Sequence, residues 1–137
     1  MDAYDTKGIR GAIHTGKVMT GLHHRDIGGL GASLQNDKVE CEVICDGMHL
    51  SLNMLKIYFK VKDFSRFMMI SDCTPFSGAP AGRYPKAMMD MDIIVHENGF
   101  VLSDTGRLCG SSQPLLFFLL PLLSPLALPL SPFLPLS

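Results

Sequence analysis

Polar and apolar residues follow several distinct rhythms along this chain, and each rhythm predicts an element. Met1 to Gly8 is polar and reads as a frayed helix end, followed by a short strand from Ile9 to Ile13 that Arg10 and Gly11 interrupt. His14 to Leu34 is rich in glycine, with Gly28, Gly29 and Gly31 close behind His23-His24-Arg25-Asp26. Glycine tolerates left-handed backbone and weakens helices, so this stretch predicts a loop that enters a short helix near Leu30. Val39 to Asp46 alternates at first and then turns apolar, the pattern of a buried strand, and Gly47 offers a turn. From Ser51 to Lys62, Leu52, Leu55, Tyr58 and Phe59 recur at intervals of three and four, which predicts an amphipathic helix. Arg66 to Asp72 is a second short apolar run, between Asp63 and Ser65 before it and Pro75 after it, and reads as another buried strand.

Strand, turn, amphipathic helix and strand in this order make a βαβ unit, which implies a parallel pair joined by a right-handed crossover. That geometry puts Asp46, Gly47 and His49 at the C-terminal end of one strand and Ser71, Asp72 and Thr74 at the same end of its neighbour. Chemistry gathers at this edge in parallel sheets and barrels. Cys73 to Arg83 reads as a covering loop, and Met91–Val95 and Phe100–Leu102 flank Asn98-Gly99, a strong hairpin signal.

Composition changes the picture at one end. Every charged residue lies at or before Arg107, and residues 113–137 form a Leu/Pro-rich tail with prolines at 114, 121, 125, 129, 132 and 135. The tail is apolar enough to nominate a membrane span, but each proline removes a backbone donor and disrupts a helix. A non-native or out-of-frame extension is the first reading and a weak membrane segment the second. Aggregation or membrane adsorption is its expected behaviour in water. The other 112 residues make one modest core, and a complete barrel of about 250 residues does not fit.

Twelve Lys and Arg against 13 Asp and Glu give a net charge of −1, which argues against a nucleic-acid partner held by a broad basic field. The first ten residues lack a basic region followed by an apolar run, so no signal peptide is expected and a cytoplasmic setting is the default. Cys41, Cys45, Cys73 and Cys109 allow three disulfide pairings, but the first two fall inside a predicted strand and read as buried thiols.

Three groups carry candidate chemistry. His49 and Asp72, on neighbouring strand ends, could address one ligand by proton transfer or metal ligation, or they and Asp46 could simply cap the helices or turns after each strand. Arg25 sets a cation beside the backbone donors of Gly28 and Gly29, as a phosphate or carboxylate requires, with a solvated loop as the alternative. His14 could join the same rim. The chain has no His-x-His, Cys-x-x-Cys or Gly-x-Gly-x-x-Gly run, hence no self-contained metal or dinucleotide motif.

The stretch Met19 to Ala32 resembles the segment after strand six of the N-acetylglucosamine-6-phosphate deacetylases, a family of metal-dependent amidohydrolases. Cys45-Asp46-Gly47-Met48-His49-Leu50 is similar to the family's Ala-Asp-Gly-x-His-x segment at strand seven, and Ile70-Ser71-Asp72-Cys73-Thr74 to its Thr-Asp-Ala segment at strand eight. Gly106 to Ser112 is similar to its Gly-x-Leu-x-Gly-Ser turn. The resemblance covers residues 9–112 and the C-terminal third of the family only. It implies an α/β fold: an incomplete (β/α)8 barrel of roughly strands six to eight over residues 1–112, with a β-hairpin insertion.

The family releases acetate from N-acetylglucosamine 6-phosphate by attack of a metal-activated water. The resemblance implies Asp72 as the catalytic acid/base, with His49 and Arg25 binding the substrate amide and its phosphate. A homodimer in which the neighbouring subunit completes the phosphate end is also implied. The divalent metal, zinc or iron, is another matter. The family pattern His-x-x-His stands here as His14-Thr15-Gly16-Lys17, and Lys17 offers a cation and no acceptor. The family's metal-binding Glu after strand three and His after strand five have no counterpart, so no metal ligand is assigned and a fragment inactive in isolation is expected. The alternatives are a noncatalytic sugar-phosphate-binding or subunit-interaction fragment, and a membrane-associated protein driven by the tail.

Overall fold

The computed structural model describes residues 7–116, which fall into two compact units, 7–70 and 71–116. The expectations for residues 1–6 and for the tail beyond residue 116 lie outside the described residues.

The first unit alternates strands and helices. Its elements are β1 (Gly11–Ala12), α1 (Gly28–Gln35), β2 (Glu40–Ile44), α2 (Leu52–Val61), a 3-10 turn (Phe64–Arg66) and β3 (Phe67–Ile70). The strands form one parallel sheet in the order β1-β2-β3, with Ala12 beside Cys41 and Ile44 beside Ile70. Side chains of a strand alternate between faces. On β2 and its flanks the odd positions Val39, Cys41, Val43 and Cys45 are all fully buried. Val43 and Cys45 pack with Leu30 and Leu34 of α1, with Leu50, and with Leu55 and Tyr58 of α2. The opposite face runs from exposed Glu40 through half-buried Glu42 to buried Ile44.

Local chemistry explains where the helices begin and end. Ser51 is extended and its hydroxyl accepts from the Met54 amide at 3.3 Å, an N-cap that satisfies one of the unpaired donors of the first turn. Lys62, one residue past α2, is buried, and its ammonium donates to the Asn36 and Ser33 carbonyls at 2.6 and 3.2 Å. A cation there satisfies carbonyls that the C-terminal turn of α1 leaves open. Asp63 caps the 3-10 turn through the Ser65 amide.

The second unit is an antiparallel sheet of β4 (Gly82–Met88), β5 (Met91–Val95), β6 (Phe100–Ser103) and β7 (Leu108–Ser111), in chain order. The hairpin signalled by Asn98-Gly99 is β5–β6, closed by bonds from the His96 amide to the Phe100 carbonyl and from the Gly99 amide to the His96 carbonyl. The insertion is larger than a hairpin, because β4 and β7 add a strand on each side. Ile93, Val95 and Val101 are its buried core, covered by Phe76, Tyr84 and Met88. The segment Gly106–Ser112, expected as a turn, carries β7, which pairs Ser111 with Phe100 and Gly110 with Val101.

The architecture is an incomplete α/β barrel-like fragment with one parallel and one antiparallel sheet. No helix among the described residues is long and apolar enough to cross a membrane. All four cysteines are free thiols, Cys41 and Cys45 being buried.

Leu55 is fully buried in the first unit's core, whereas Ser51 caps α2 from an exposed position. Leu55→Ala is expected to cost about 2–5 kcal/mol, and Ser51→Ala about 1 kcal/mol. Urea unfolding of the two variants checks this ordering, and equal losses would contradict the packing described.

Candidate functional site

The segment between β1 and α1 is a chain of tight turns. The Thr15 amide extends the β1–β2 pairing by bonding to the Glu42 carbonyl at 2.8 Å, directly after His14, whose backbone is left-handed at φ 44°. The Lys17 amide then closes on the His14 carbonyl at 2.7 Å. Gly16 is also left-handed, and a side chain there would meet the Tyr58 hydroxyl and Leu50. Only glycine fits so close an approach.

Arg25 sits in the exposed turn His23–Asp26, which is closed by paired backbone bonds between those two residues at 2.8 and 3.1 Å. Its Nε donates to His24 Nε2 at 3.1 Å, and the His23 and His24 rings lie 4.1 Å apart. The backbone donors expected to assist Arg25 are already used. The Gly28 amide donates to Asp26 Oδ1 at 2.9 Å, Gly29 to Thr20 Oγ1 at 2.7 Å, and Leu30 to the Thr20 carbonyl at 3.1 Å. Gly28 is left-handed at φ 60°, and a Cβ there would lie 2.5 Å from the Thr20 carbonyl oxygen. The first turn of α1 is thus locked against Thr20 and Asp26.

Asp46 and His49 follow β2 directly. Asp46 Oδ1 accepts from the Met48 and His49 amides, both at 2.8 Å, and Oδ2 lies 2.6 Å from His49 Nδ1. The side chains of His49 and Asp46 are 1% and 0% exposed. Burial pushes the Asp46 carboxyl upward, but bonds from the His49 ring and from the His49 and Met48 amides outweigh it and hold it below its ordinary value. Sequence reasoning placed Asp46 at the strand end as a turn cap, which Oδ1 is, and gave it no part in the chemistry. The signal was the spacing Asp-Gly-x-His, which lets one carboxylate close a turn and reach the ring.

Asp72 follows Ile70, the last residue of β3, by two positions and belongs to the second unit. Its backbone is left-handed at φ 50°, which Asp tolerates better than most residues. The Asp72 carbonyl accepts from the Ser111 amide at 3.0 Å. Gly110 makes room for this: a Cβ there would lie 2.7 Å from that oxygen. The half-buried Asp72 is therefore held by β7.

The residues present do not fit the divalent metal that the sequence resemblance implies. Among the described residues no group of three or more His, Cys, Asp and Glu is placed to hold a metal ion. Lys17, closed on His14 through the backbone, brings a cation to the position of a ligand.

No protein-family model matches the chain. It is 33% identical over 109 residues to the N-acetylglucosamine-6-phosphate deacetylase of Vibrio furnissii, covering 80% of this chain and 26% of that protein. It is also 33% identical over 110 residues to the N-acetylgalactosamine-6-phosphate deacetylase of Escherichia coli O157:H7, covering 80% of this chain and 28% of that protein. The crystal structure of N-acetylglucosamine-6-phosphate deacetylase from Thermotoga maritima matches with a TM-score of 0.83 and 28% identity, over 93% of this chain and 34% of that one. The chain is homologous to these deacetylases over part of their length.

The chain thus spans about a quarter to a third of the relatives it matches. The expectation of a likeness confined to residues 9–112, as a C-terminal third only, is corrected by the solved structures. Four of them match between 92% and 95% of this chain, more than that segment contains.

Linkage gives a pH dependence. A carboxyl whose folded-state value is lowered stabilises the fold fully above its unfolded value, and the contribution is lost as pH falls through the folded one. Asp46 is such a group, and so are exposed Asp63, bonded by Ser65, and half-buried Asp92, bonded by the Lys86 amide and Arg83. Urea unfolding is expected to show stability that is level above about pH 5 and falls as pH drops through and below the ordinary Asp value of about 3.9, with a shallower decline for Asp46→Asn. Equal slopes for the two proteins would contradict the Asp46 assignment.

Proposed function

We propose that the chain is part of a hydrolase that removes the acetyl group of an N-acetylated hexosamine 6-phosphate, with N-acetylglucosamine 6-phosphate as the first substrate to test, and that it does not turn over alone. The observation that carries this reading is the clamped Asp46–His49 turn at the end of β2. It occurs in a chain whose relatives include deacetylases of both N-acetylglucosamine and N-acetylgalactosamine 6-phosphates. In this reading β1, β2 and β3 stand for strands six, seven and eight of a barrel.

The three site residues divide the work. Arg25 grips the phosphate with its planar fork, which matches phosphate oxygens in a way a point charge does not. His49 positions and polarises the acetamide. Asp72 exchanges the proton between the attacking water and the departing amine, as a carboxylate acid/base can. A second subunit completes the phosphate end of the pocket.

A noncatalytic sugar-phosphate-binding role is the second reading. It is favoured by Lys17 at a ligand position and by the lack, among the described residues, of a metal-donor group. Both readings share the phosphate grip and part at turnover.

Titration calorimetry with N-acetylglucosamine 6-phosphate, run beside an acetate-release assay with and without added zinc, separates binding from turnover. The expected result is binding without acetate release. Arg25→Ala is expected to lose about 1.5–3 kcal/mol of binding, about tenfold or more in affinity. Metal-dependent acetate release would overturn the claim of inactivity, and no binding in either condition would overturn both readings.

A further inference from the structure

Asp46 is used three times within four residues, and the third use is the informative one. An aspartate that merely closes a turn needs one oxygen, and here Oδ1 serves the Met48 and His49 amides. The second oxygen, Oδ2, lies 2.6 Å from His49 Nδ1, with both side chains shut off from solvent. An ionised carboxylate only accepts hydrogen bonds, so the proton of this contact belongs to Nδ1. The tautomer of a histidine is set by the bond that one ring nitrogen makes, and that bond also fixes which edge of the ring addresses everything else.

We propose that Asp46 is a positioning residue: it holds the His49 ring by Nδ1–H and so presents the Nε2 edge to a bound acetamide. The inference rests on the deacetylase reading for its ligand and on the chain's own geometry for the ring. Asp46 need not touch substrate. It acts by removing two freedoms from His49, rotation of the ring and choice of tautomer. Both would otherwise have to be fixed when substrate binds, at a cost in affinity and in alignment.

Asp46→Asn separates this role from that of a turn. The amide oxygen of Asn keeps accepting from the Met48 and His49 amides, so the turn survives. The amide nitrogen replaces Oδ2 opposite the ring, and because it donates, Nδ1 must become the acceptor and the proton must move to Nε2.

A two-bond proton–nitrogen correlation spectrum of the full chain with labelled histidine, recorded above the histidine titration range, reads the tautomer directly. The wild-type protein is expected to show His49 protonated at Nδ1, and Asp46→Asn to show the neutral ring protonated at Nε2. Asp46→Ala, which loses all three bonds, is expected to populate the two tautomers together. Wild-type His49 unprotonated at Nδ1 would overturn the proposal whether or not any variant folds. A folded Asp46→Asn protein with the wild-type tautomer would overturn it as well. The spectrum needs no ligand, so failure of the wild-type chain to bind N-acetylglucosamine 6-phosphate would count against the functional readings and leave the assignment of the ring proton untouched.

Discussion

The burial of β2 as the central strand of a parallel sheet is the constraint on which the first unit depends. Four alternate residues, Val39, Cys41, Val43 and Cys45, lose all solvent contact on the helix-facing side. Fully burying either valine is worth about 1.5–3 kcal/mol. That gain exists only while α1 and α2 both lie on the sheet, as Leu34 of α1 and Leu55 of α2 show by packing into the same cluster. A one-residue slip of β2 would send the glutamates to that face and the apolar set to the other, so the register with Phe67–Ile70 is tightly specified. Buried Lys62 adds a direct tie between the two helices' ends, reaching from the end of α2 to the last carbonyls of α1.

From that fixed strand the candidate site follows with little freedom. Cys45 ends the buried run and Asp46 begins the turn, so the carboxylate and the imidazole are held one step beyond the most protected part of the sheet. The Arg25 turn is fixed differently, by close backbone approach. Gly28 lies against the Thr20 and Gly21 carbonyls and Gly31 against Leu22 and Ile27, and side chains at either position would collide. Asp72 is fixed in a third way, by pairing of its carbonyl with Ser111 across the space that Gly110 leaves. Each candidate residue is thus placed by backbone that has no easy alternative, as catalytic and binding groups require.

Much of this was legible in the sequence, and the exceptions have physical causes. The strands around Val43 and Met69 and the helix around Leu55 and Tyr58 declared themselves, because burial on one face imposes a period that any reader of the chain can count. β4 did not. Its residues are largely exposed, Pro85 interrupts it, and Lys86 is left-handed with its amide bonded to the Asp92 side chain instead of the ladder. Such a strand lies at the sheet's edge, where proline is tolerated and alternation is not enforced. β7 was hidden by Gly110, which reads as a turn residue but serves a close approach. The site was half visible. His49 and Asp72 stood out by type and place, yet the pairing of His49 with Asp46, and the occupation of the Gly28 and Gly29 amides by Asp26 and Thr20, depend on folded-chain contacts that no period encodes.

Hydrogen exchange measured residue by residue on the native protein tests most directly whether the Asp46–His49 turn is a rigid continuation of β2. The account predicts that the His49 amide, bonded to Asp46 Oδ1, exchanges with the same protection as the amides of β2, all of them opening only when the first unit unfolds. Exchange of His49 at the rate of an exposed loop, while β2 stays protected, would show that the turn moves independently of the strand and would contradict the account.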